Sequence, residues 1–323
     1  MNWQVTGYIN NKFGQREGVS AMDMRTIIKS RKIRDTLMYG LRLLPDRLYV
    51  SLFYFALNGR FPNLRNPKRF TEKLQWLKLY DHHPEYRVLA DKLAVREHVE
   101  KILGPGYTIP VLGKWKRFED IAFSKLPNEF ILKCNHDSGS YRIIHDKKSL
   151  TKSDYEELKT FFNRRVQKDF FYAGREDCYR DIDAYIFAEK LMHSSKNEAG
   201  GIKDFKFFCF NGEPKIMLMV NGRQTEKHED YFDMDFNWLH IQNGWTESKV
   251  CPEKPACFEE MKETARILSK GLRHVRLDLY EIDGKIYFGE YTFFNGGGFE
   301  VFKPEEWELK MGTWINLPLK KRK

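Results

Sequence analysis

Cysteine is scarce in this chain: five residues in 323, an odd number, with no C-x-x-C pair. Cys251 and Cys257 have no matching His/Cys cluster beside them. That argues against a structural zinc site and reads as reduced thiols in a cytosolic protein. Long apolar runs are missing too. The longest, residues 48–57, is about half the roughly 20 residues that a membrane-spanning helix needs. The first 21 residues are polar, which is not the pattern of a secretory signal. No repeat or low-complexity tract occurs. Four well-defined motifs are also missing: G-x-x-x-x-G-K-[ST], a strand-borne G-x-G-x-x-G, H-E-x-x-H and G-x-S-x-G. Their absence removes the P-loop, dinucleotide-binding, zincin and nucleophile-elbow classes.

What is present is an ordinary globular balance, 41% apolar and 31% charged, over a length that allows two or three lobes. Aromatic residues reach 15%, suited to large cores and to pockets that stack a flat ligand. Lys and Arg total 55 against 45 Asp and Glu, a net charge of +10 that favours polyanionic partners. Basic residues cluster at 29–32 and 320–323, and residues 25–47 read as a basic, partly apolar helix of the kind that can lie on an anionic membrane surface.

The periodicity predicts an α+β chain. Residues 70–80 and 88–103 carry helical spacing, the second ending at Gly104-Pro105-Gly106. Residues 107–113 read as a short strand. Residues 130–134 and 141–144 read as two strands joined by the polar tip Asn135-His136-Asp137-Ser138-Gly139-Ser140. A helix is expected over 150–165, a strand over 183–192, a hairpin turning at Asn211-Gly212, a helix over 258–270 and a final hairpin turning at Asp283-Gly284.

That last hairpin carries the chemistry. Period two puts Arg276 and Asp278 on one face and Val275, Leu277 and Leu279 on the other. With Glu290 on the returning strand, two carboxylates suit Mg²⁺, a hard ion that takes oxygen ligands, and the arginine suits a phosphate or an oxyanion. Register decides whether they meet. A two-residue turn pairs Ile282 with Lys285 and sends Asp278 and Glu290 to opposite faces. A three-residue loop bulged at Gly284 pairs Glu281 with Lys285 and brings them together. A shared metal therefore requires that loop or an equivalent bulge. The expectation is Gly284 at positive φ in a bulged loop, with at least one of the two carboxyls raised in pKa by the other. Lys133, ending a buried strand before the 136–140 tip, is a candidate phosphate ligand. Gly296-Gly297-Gly298 would let backbone approach a ligand closely. Asp181-Ile182-Asp183 and Asp233-Met234-Asp235 have the D-x-D spacing of sugar-nucleotide sites.

Taken in order, these strings resemble the ATP-grasp superfamily. Residues 276–298 look like the C-terminal metal motif of the D-alanine–D-alanine ligases. Together with 70–80, 90–92, 130–140 and 204–214, they are similar to the TupA-like ATP-grasp family named for teichuronopeptide biosynthesis, over about residues 35–318. The resemblance implies an α+β, ATP-grasp fold with a mainly helical N-terminal part (1–125), a small lid lobe (126–188), a sheet-based C-terminal lobe (189–318) and a basic tail (319–323). It implies ATP and Mg²⁺ as cofactors. Lys92 and Lys133 then contact the phosphates, and His136, Ser138, Gly139 and Ser140 close over them. Glu189 lies at the adenine-reading hinge, and Lys206 faces the nucleotide. Asp278 and Glu290 hold the metal. Glu290-Tyr291-Thr292 departs from the usual Glu-x-Asn, so Thr292 or Asn295 completes the shell, with Arg276 beside the transferred phosphoryl group.

The activity implied is an ADP-forming carboxylate–amine ligase of cell-surface polysaccharide (capsule, cell envelope) biosynthesis. Its partners would be an acidic glycan or lipid-linked glycan precursor and an amine or amino acid, with no nucleic acid. It would be cytoplasmic, with the 25–47 segment a candidate for peripheral contact at the inner face of the membrane. The competing classes are a glycosyltransferase or phosphotransferase of the same biosynthesis, and a non-catalytic basic binding protein.

Overall fold

The structure, a computed structural model, describes residues 40–195, 201–222 and 225–318; the basic segments 25–39 and 319–323 lie outside the described residues. Two helices open the described chain. Helix α1 (Asp46–Asn58) follows Pro45 and stops at Gly59, whose φ of 72° ends it in a left-handed cap. It buries Tyr49, Val50, Phe53 and Tyr54. Helix α2 (Phe70–Tyr80) is capped by Glu72, whose carboxylate accepts from the backbone N–H groups of Asn63, Lys68 and Arg69.

The single helix expected over 88–103 is two: α3 (Glu85–Ala90) and α4 (Ala94–Leu103). The break has a local cause. The Asp91 carboxylate accepts from the N–H groups of Leu93 and Ala94, at 2.8 and 3.3 Å, offering the backbone an alternative to the helical ladder. Lys92 thereby stands on a corner rather than within a helix.

A four-stranded antiparallel sheet follows, in the order β1 (Val111–Trp115), β4 (Ile186–Lys190), β2 (Phe130–Cys134), β3 (Tyr141–Ile144). It takes β1 from ahead of residue 126 and runs β4 on past residue 188. Helix α5 (Lys152–Val166), started by a Thr151–Asp154 capping box, packs Leu158 and Phe162 on this sheet. A short helix, α6 (Phe171–Gly174), follows it. On the small sheet Phe130, Leu132, Cys134, Ile186 and Ala188 face the core beneath α5. By alternation Ile131, Lys133, Phe187 and Glu189 face the other way.

The larger sheet is also antiparallel, in the order β7 (His228–Phe232), β6 (Glu213–Asn221), β5 (Asp204–Phe210), β8 (His274–Ile282), β9 (Lys285–Thr292). Helix α7 (Phe258–Ser269) contributes Phe258, Met261, Ala265 and Leu268 to the same core as Phe207, Met217, Leu277 and Tyr291 of the sheet. Helix α8 (Glu305–Trp314) closes the end, tied to α2 where Glu308 accepts from the N–H and hydroxyl of Thr71.

The turn of the last hairpin corrects the expected register. Ile282 pairs with Lys285, and Asp283 and Gly284 have φ of 53° and 79°. This is a two-residue turn with both residues left-handed, not a bulged loop. The ladder instead slips higher up: Leu279 pairs with Phe288 and Asp278 with Glu290, so Gly289 is the extra residue. The bulge a shared metal requires exists, four ladder pairs along from the turn rather than in the loop itself.

Candidate functional site

The bulge places Glu290 opposite Asp278, and the register then runs on across the sheet: Asp278 opposite Lys206, Lys206 opposite Leu218, Leu218 opposite Tyr231. One face of the sheet therefore carries Glu290, Asp278, Lys206 and Tyr231 in a row, flanked by Thr292 and Arg276 on one side. Asp278 is buried, and its carboxylate accepts from Arg276 Nε and Nη2 at 2.7 and 2.9 Å and from Lys206 Nζ. Burial alone would raise its pKa; the two cations outweigh burial and hold it below the ordinary carboxylate range. The expected raised carboxyl is thus not Asp278. Burial opposes the charge of Arg276 as well, but Asp278, Glu290 and Glu300 outweigh it and keep the guanidinium charged.

Arg276 organises the rest. Its Nη2 donates to Thr292 Oγ1 at 3.0 Å and lies 3.6 Å from Glu290 Oε1, and its Nη1 donates to Asn295 Oδ1. Thr292 and Asn295 both turn their oxygens to this guanidinium. Glu290 keeps 31% of its side chain exposed. Asn295 Nδ2 in turn donates to Glu300, a residue the sequence reading passed over. Burial, reinforced by the charge of Glu229, pushes the Glu300 carboxyl up to about 7.

The β2–β3 hairpin reaches this face through Lys92. Its ammonium donates to the Asp137 carbonyl at the tip and lies 3.7 Å from Glu290 Oε2, while its own N–H donates to the Asn135 carbonyl at 3.1 Å. Asn135 also donates to Asp91 at 2.9 Å, clipping the tip to the helix break. Lys133 donates to Glu189, which also takes Arg96 of α4 at 3.1 Å. Arg96 is a second residue that sequence reasoning missed, since only the fold brings α4 beside β4.

The tip residues divide. Ser138 and Gly139 are exposed, and Gly139 has φ of 74°. Ser140 is buried and donates to Asp137, which also pairs with Arg165 at 2.7 Å. His136 is buried, and its Nε2 lies 3.2 and 3.1 Å from the carbonyls of Arg165 and Lys168 at the end of α5. Burial lowers its pKa. Its contacts are those of a neutral ring that anchors the tip.

The glycine loop is bound from beneath. Gly296, Gly297 and Gly298 all have positive φ, and Gln75 of α2 donates to the carbonyls of Gly297 and Gly298 at 3.2 and 2.6 Å. A Cβ on Gly298 would lie 2.8 Å from Gln75 Nε2. Lys78 of α2 donates to the Gly297 carbonyl. Burial lowers the Lys78 pKa to about 8 against the pull of Glu176, whose own carboxyl burial raises to about 7.

The two D-x-D strings are spent locally. Asp233 accepts from the N–H groups of Asp235 and Asn237 in its own turn, and Asp183 pairs with Lys116 on the surface. Hard carboxylate oxygens on opposed strand positions, one partly exposed, beside an arginine and two lysines, fit a magnesium–nucleotide pair.

The sequence matches the family model described as TupA-like ATPgrasp over residues 72–316, and the chain belongs to that ATP-grasp family. No curated protein matches the chain. Among solved structures, the D-alanine–D-alanine ligase of Bacillus anthracis aligns with 19% identity over 64% of this chain and 56% of its own, with a TM-score of 0.38. That of Helicobacter pylori aligns with 11% identity over 76% and 69%, with a TM-score of 0.43. The ATP-grasp ligase PsnB, complexed with minimal precursor, Mg and ADP, aligns with 13% identity over 70% and 60%, with a TM-score of 0.37. The chain thus spans little more than half the length of the Bacillus enzyme. Among the described residues no helix is long and apolar enough to cross a membrane.

Proposed function

We propose that the protein is an ATP- and Mg²⁺-dependent, ADP-forming ligase that joins a carboxylate to an amine. The observation that carries this reading is the face shared by Asp278, Glu290 and Arg276, with Lys92 linking Glu290 to the lid tip. Asp278 and Glu290 would hold the metal, which neutralises phosphate charge when bound. Lys92, Lys133 and the exposed backbone at Ser138 and Gly139 would hold ATP between the two sheets, with Glu189 at the nucleoside end. Lys206 keeps Asp278 ionised. Arg276 stands where charge develops on the transferred phosphoryl group, the position at which a fixed cation lowers a barrier most.

In the reaction a substrate carboxylate oxygen attacks the γ-phosphorus and ADP leaves, giving an acylphosphate. The amine nitrogen then attacks the acyl carbon and phosphate leaves. Of the three ammonium protons, one stays on the amide, one goes to the departing phosphate and one to solvent. The net charge of +10 suits an acidic carboxylate donor, and we assign it to a uronic acid of a cell-surface glycan or its lipid-linked precursor. The basic 25–47 segment would dock the enzyme on an anionic membrane.

Product analysis with Mg-ATP, a panel of uronates and a panel of amines tests the reading. ADP plus phosphate and an amide support it. ADP with a phosphorylated sugar indicates a phosphotransferase instead, and no ATP use indicates a glycosyltransferase or a binding protein. Co-sedimentation with anionic liposomes at low and high salt tests the membrane contact: equal binding to neutral vesicles, or none, removes it.

A further inference from the structure

Helix α1 is apolar on two opposite faces. Its inner face buries Tyr49, Val50, Phe53 and Tyr54. On the outer face Leu48, Leu52 and Phe55, spaced four and three residues apart, form one stripe along the helix. They are 46%, 43% and 44% exposed. Phe61, 60% exposed, stacks on Phe55 with ring centroids 4.6 Å apart and prolongs the stripe, while Leu43, 86% exposed, precedes it. A helix on a protein surface ordinarily turns polar residues outward, and one that is apolar all round is normally covered. Exposed large apolar side chains scattered singly, as Val88, Val250 and Leu309 are, need no explanation, but a contiguous stripe marks an interaction surface.

Charge narrows what covers it. Over residues 40–66, Arg42, Arg47, Arg60 and Arg65 stand against a single acid, Asp46, which pairs with Arg175 at 3.3 Å. Arg60 shares Glu305 with Arg69. The chain leading into this stretch, residues 25–39, adds five basic residues against one acidic. Cations around a stripe of Leu and Phe suit a surface that meets anionic headgroups and presses apolar side chains beneath them. A second copy of the same face would instead bring like charges together. Deepening the membrane contact proposed above, on which this rests, we infer that the outer face of α1 is the seated surface, with Leu48, Leu52, Phe55 and Phe61 entering the acyl boundary of an anionic bilayer. The inner face gives that seat a use. The Phe53 and Phe299 ring centroids are 6.2 Å apart, and Asn58 Nδ2 donates to the Phe299 carbonyl at 3.4 Å. Seating α1 therefore brings the glycine-loop end of the candidate site to about one helix diameter, roughly 10 Å, from the headgroups.

The test uses the full chain with vesicles of phosphatidylcholine, alone or mixed with phosphatidylglycerol, at low and high salt. Unsubstituted protein should sediment with the anionic vesicles and keep a salt-resistant fraction, since salt screens the cations but not the apolar contact. Leu52→Gln and Phe55→Gln should each lower the partition coefficient roughly tenfold, the loss expected when a partly buried large apolar side chain no longer enters lipid. Together they should remove the salt-resistant fraction, while the melting temperature and ADP release from free uronate and amine stay unchanged. Leu52→Trp keeps an apolar side chain, and should bind and add fluorescence that brominated phosphatidylcholine quenches. Anionic binding that salt removes entirely, and that both Gln substitutions leave unchanged, would overturn the seated helix and leave the electrostatic contact standing. Binding to neither vesicle would overturn both. A lipid-free dimer that the two substitutions dissolve would assign the stripe to a second copy and likewise overturn the inference.

Discussion

Asp278 and Glu290 face one another across two strands because Gly289 has been squeezed out of the ladder between them. With the observed two-residue turn and no bulge, Asp278 would oppose Gly289, and Glu290 would point into the core beside Leu277. The glycine is required by contact: a Cβ at position 289 would lie 2.9 Å from the Asp278 carbonyl oxygen and 3.0 Å from the Tyr280 ring. Gly289→Ala should therefore push Glu290 out of line and lower ATP-dependent turnover by about a hundredfold, since misplacement by an ångström costs that much. Gly284→Ala is the control. There the added methyl meets nothing within 4 Å, and only the positive φ is strained, so it should lower stability by about 1 kcal/mol without a specific loss of activity. Equal loss of activity in both would show that the bulge is not what aligns the site.

Asp278→Asn keeps the shape of the side chain and removes its charge, and on the sequence alone it should spare the fold. The buried surroundings argue otherwise. Lys206 and Arg276 both lean on this carboxylate, and neutralising it strands two cations in a largely buried site. We expect loss of Mg-dependent turnover together with about 3–5 kcal/mol of destabilisation, the cost of breaking a buried pair from one side. Adding Lys206→Met should return part of that stability without returning activity. Denaturant melts of the two variants decide it, and additive losses would mean that Lys206 and Asp278 do not couple.

Lys133→Ala should weaken ATP binding by roughly ten- to a hundredfold, as expected for one lost hydrogen bond from a charged group. It should also free Glu189 from one of its two cations, leaving Arg96 alone at 3.1 Å. Arg96→Met should then mimic part of the defect, although Arg96 is not expected to touch the phosphates. Titration of each variant with Mg-ATP checks this, and unchanged affinity in Lys133→Ala would remove that lysine from the site.

Much of this was legible in the sequence. Alternation around Asp278 announced which face of β8 is polar, and the five ordered strings pointed to the family. The register did not show, because the 285–292 strand reads as regular and nothing local marks which residue will bulge. Lys92 was visible, but not its corner, because helical spacing ran unbroken through a stretch where Asp91 bonds its own backbone. His136 reads as a loop residue near phosphates until α5 folds back and offers its last carbonyls. Arg96 and Tyr231 come to this face only through pairings between distant strands and helices, which periodicity within one element cannot reveal, and Glu300 comes through a loop bond to Asn295.

His274, at the start of β8, gives a pH signature separate from the site carboxylates. It is 4% exposed, with Phe70 and Phe210 ring centroids 5.0 and 4.8 Å away. Its Nδ1 lies 2.9 Å from the Cys209 carbonyl, which can only accept, so Nδ1 carries a hydrogen, and it is burial that keeps the ring neutral. Burial lowers its pKa from 6.5 to about 3. The folded value lies below the unfolded one, so between them the unfolded chain binds more protons. The contribution is fully present above the unfolded value and is lost as pH falls toward the folded one. By pH 5.0 the loss should amount to about 2 kcal/mol relative to pH 7.5. His274→Phe forfeits the bond to Cys209 and should be less stable at pH 7.5, yet it should lose that much less on acidification, because it has nothing there to protonate. Urea unfolding of both proteins at the two pH values measures the difference. Parallel losses would mean that His274 is not held neutral in the folded chain.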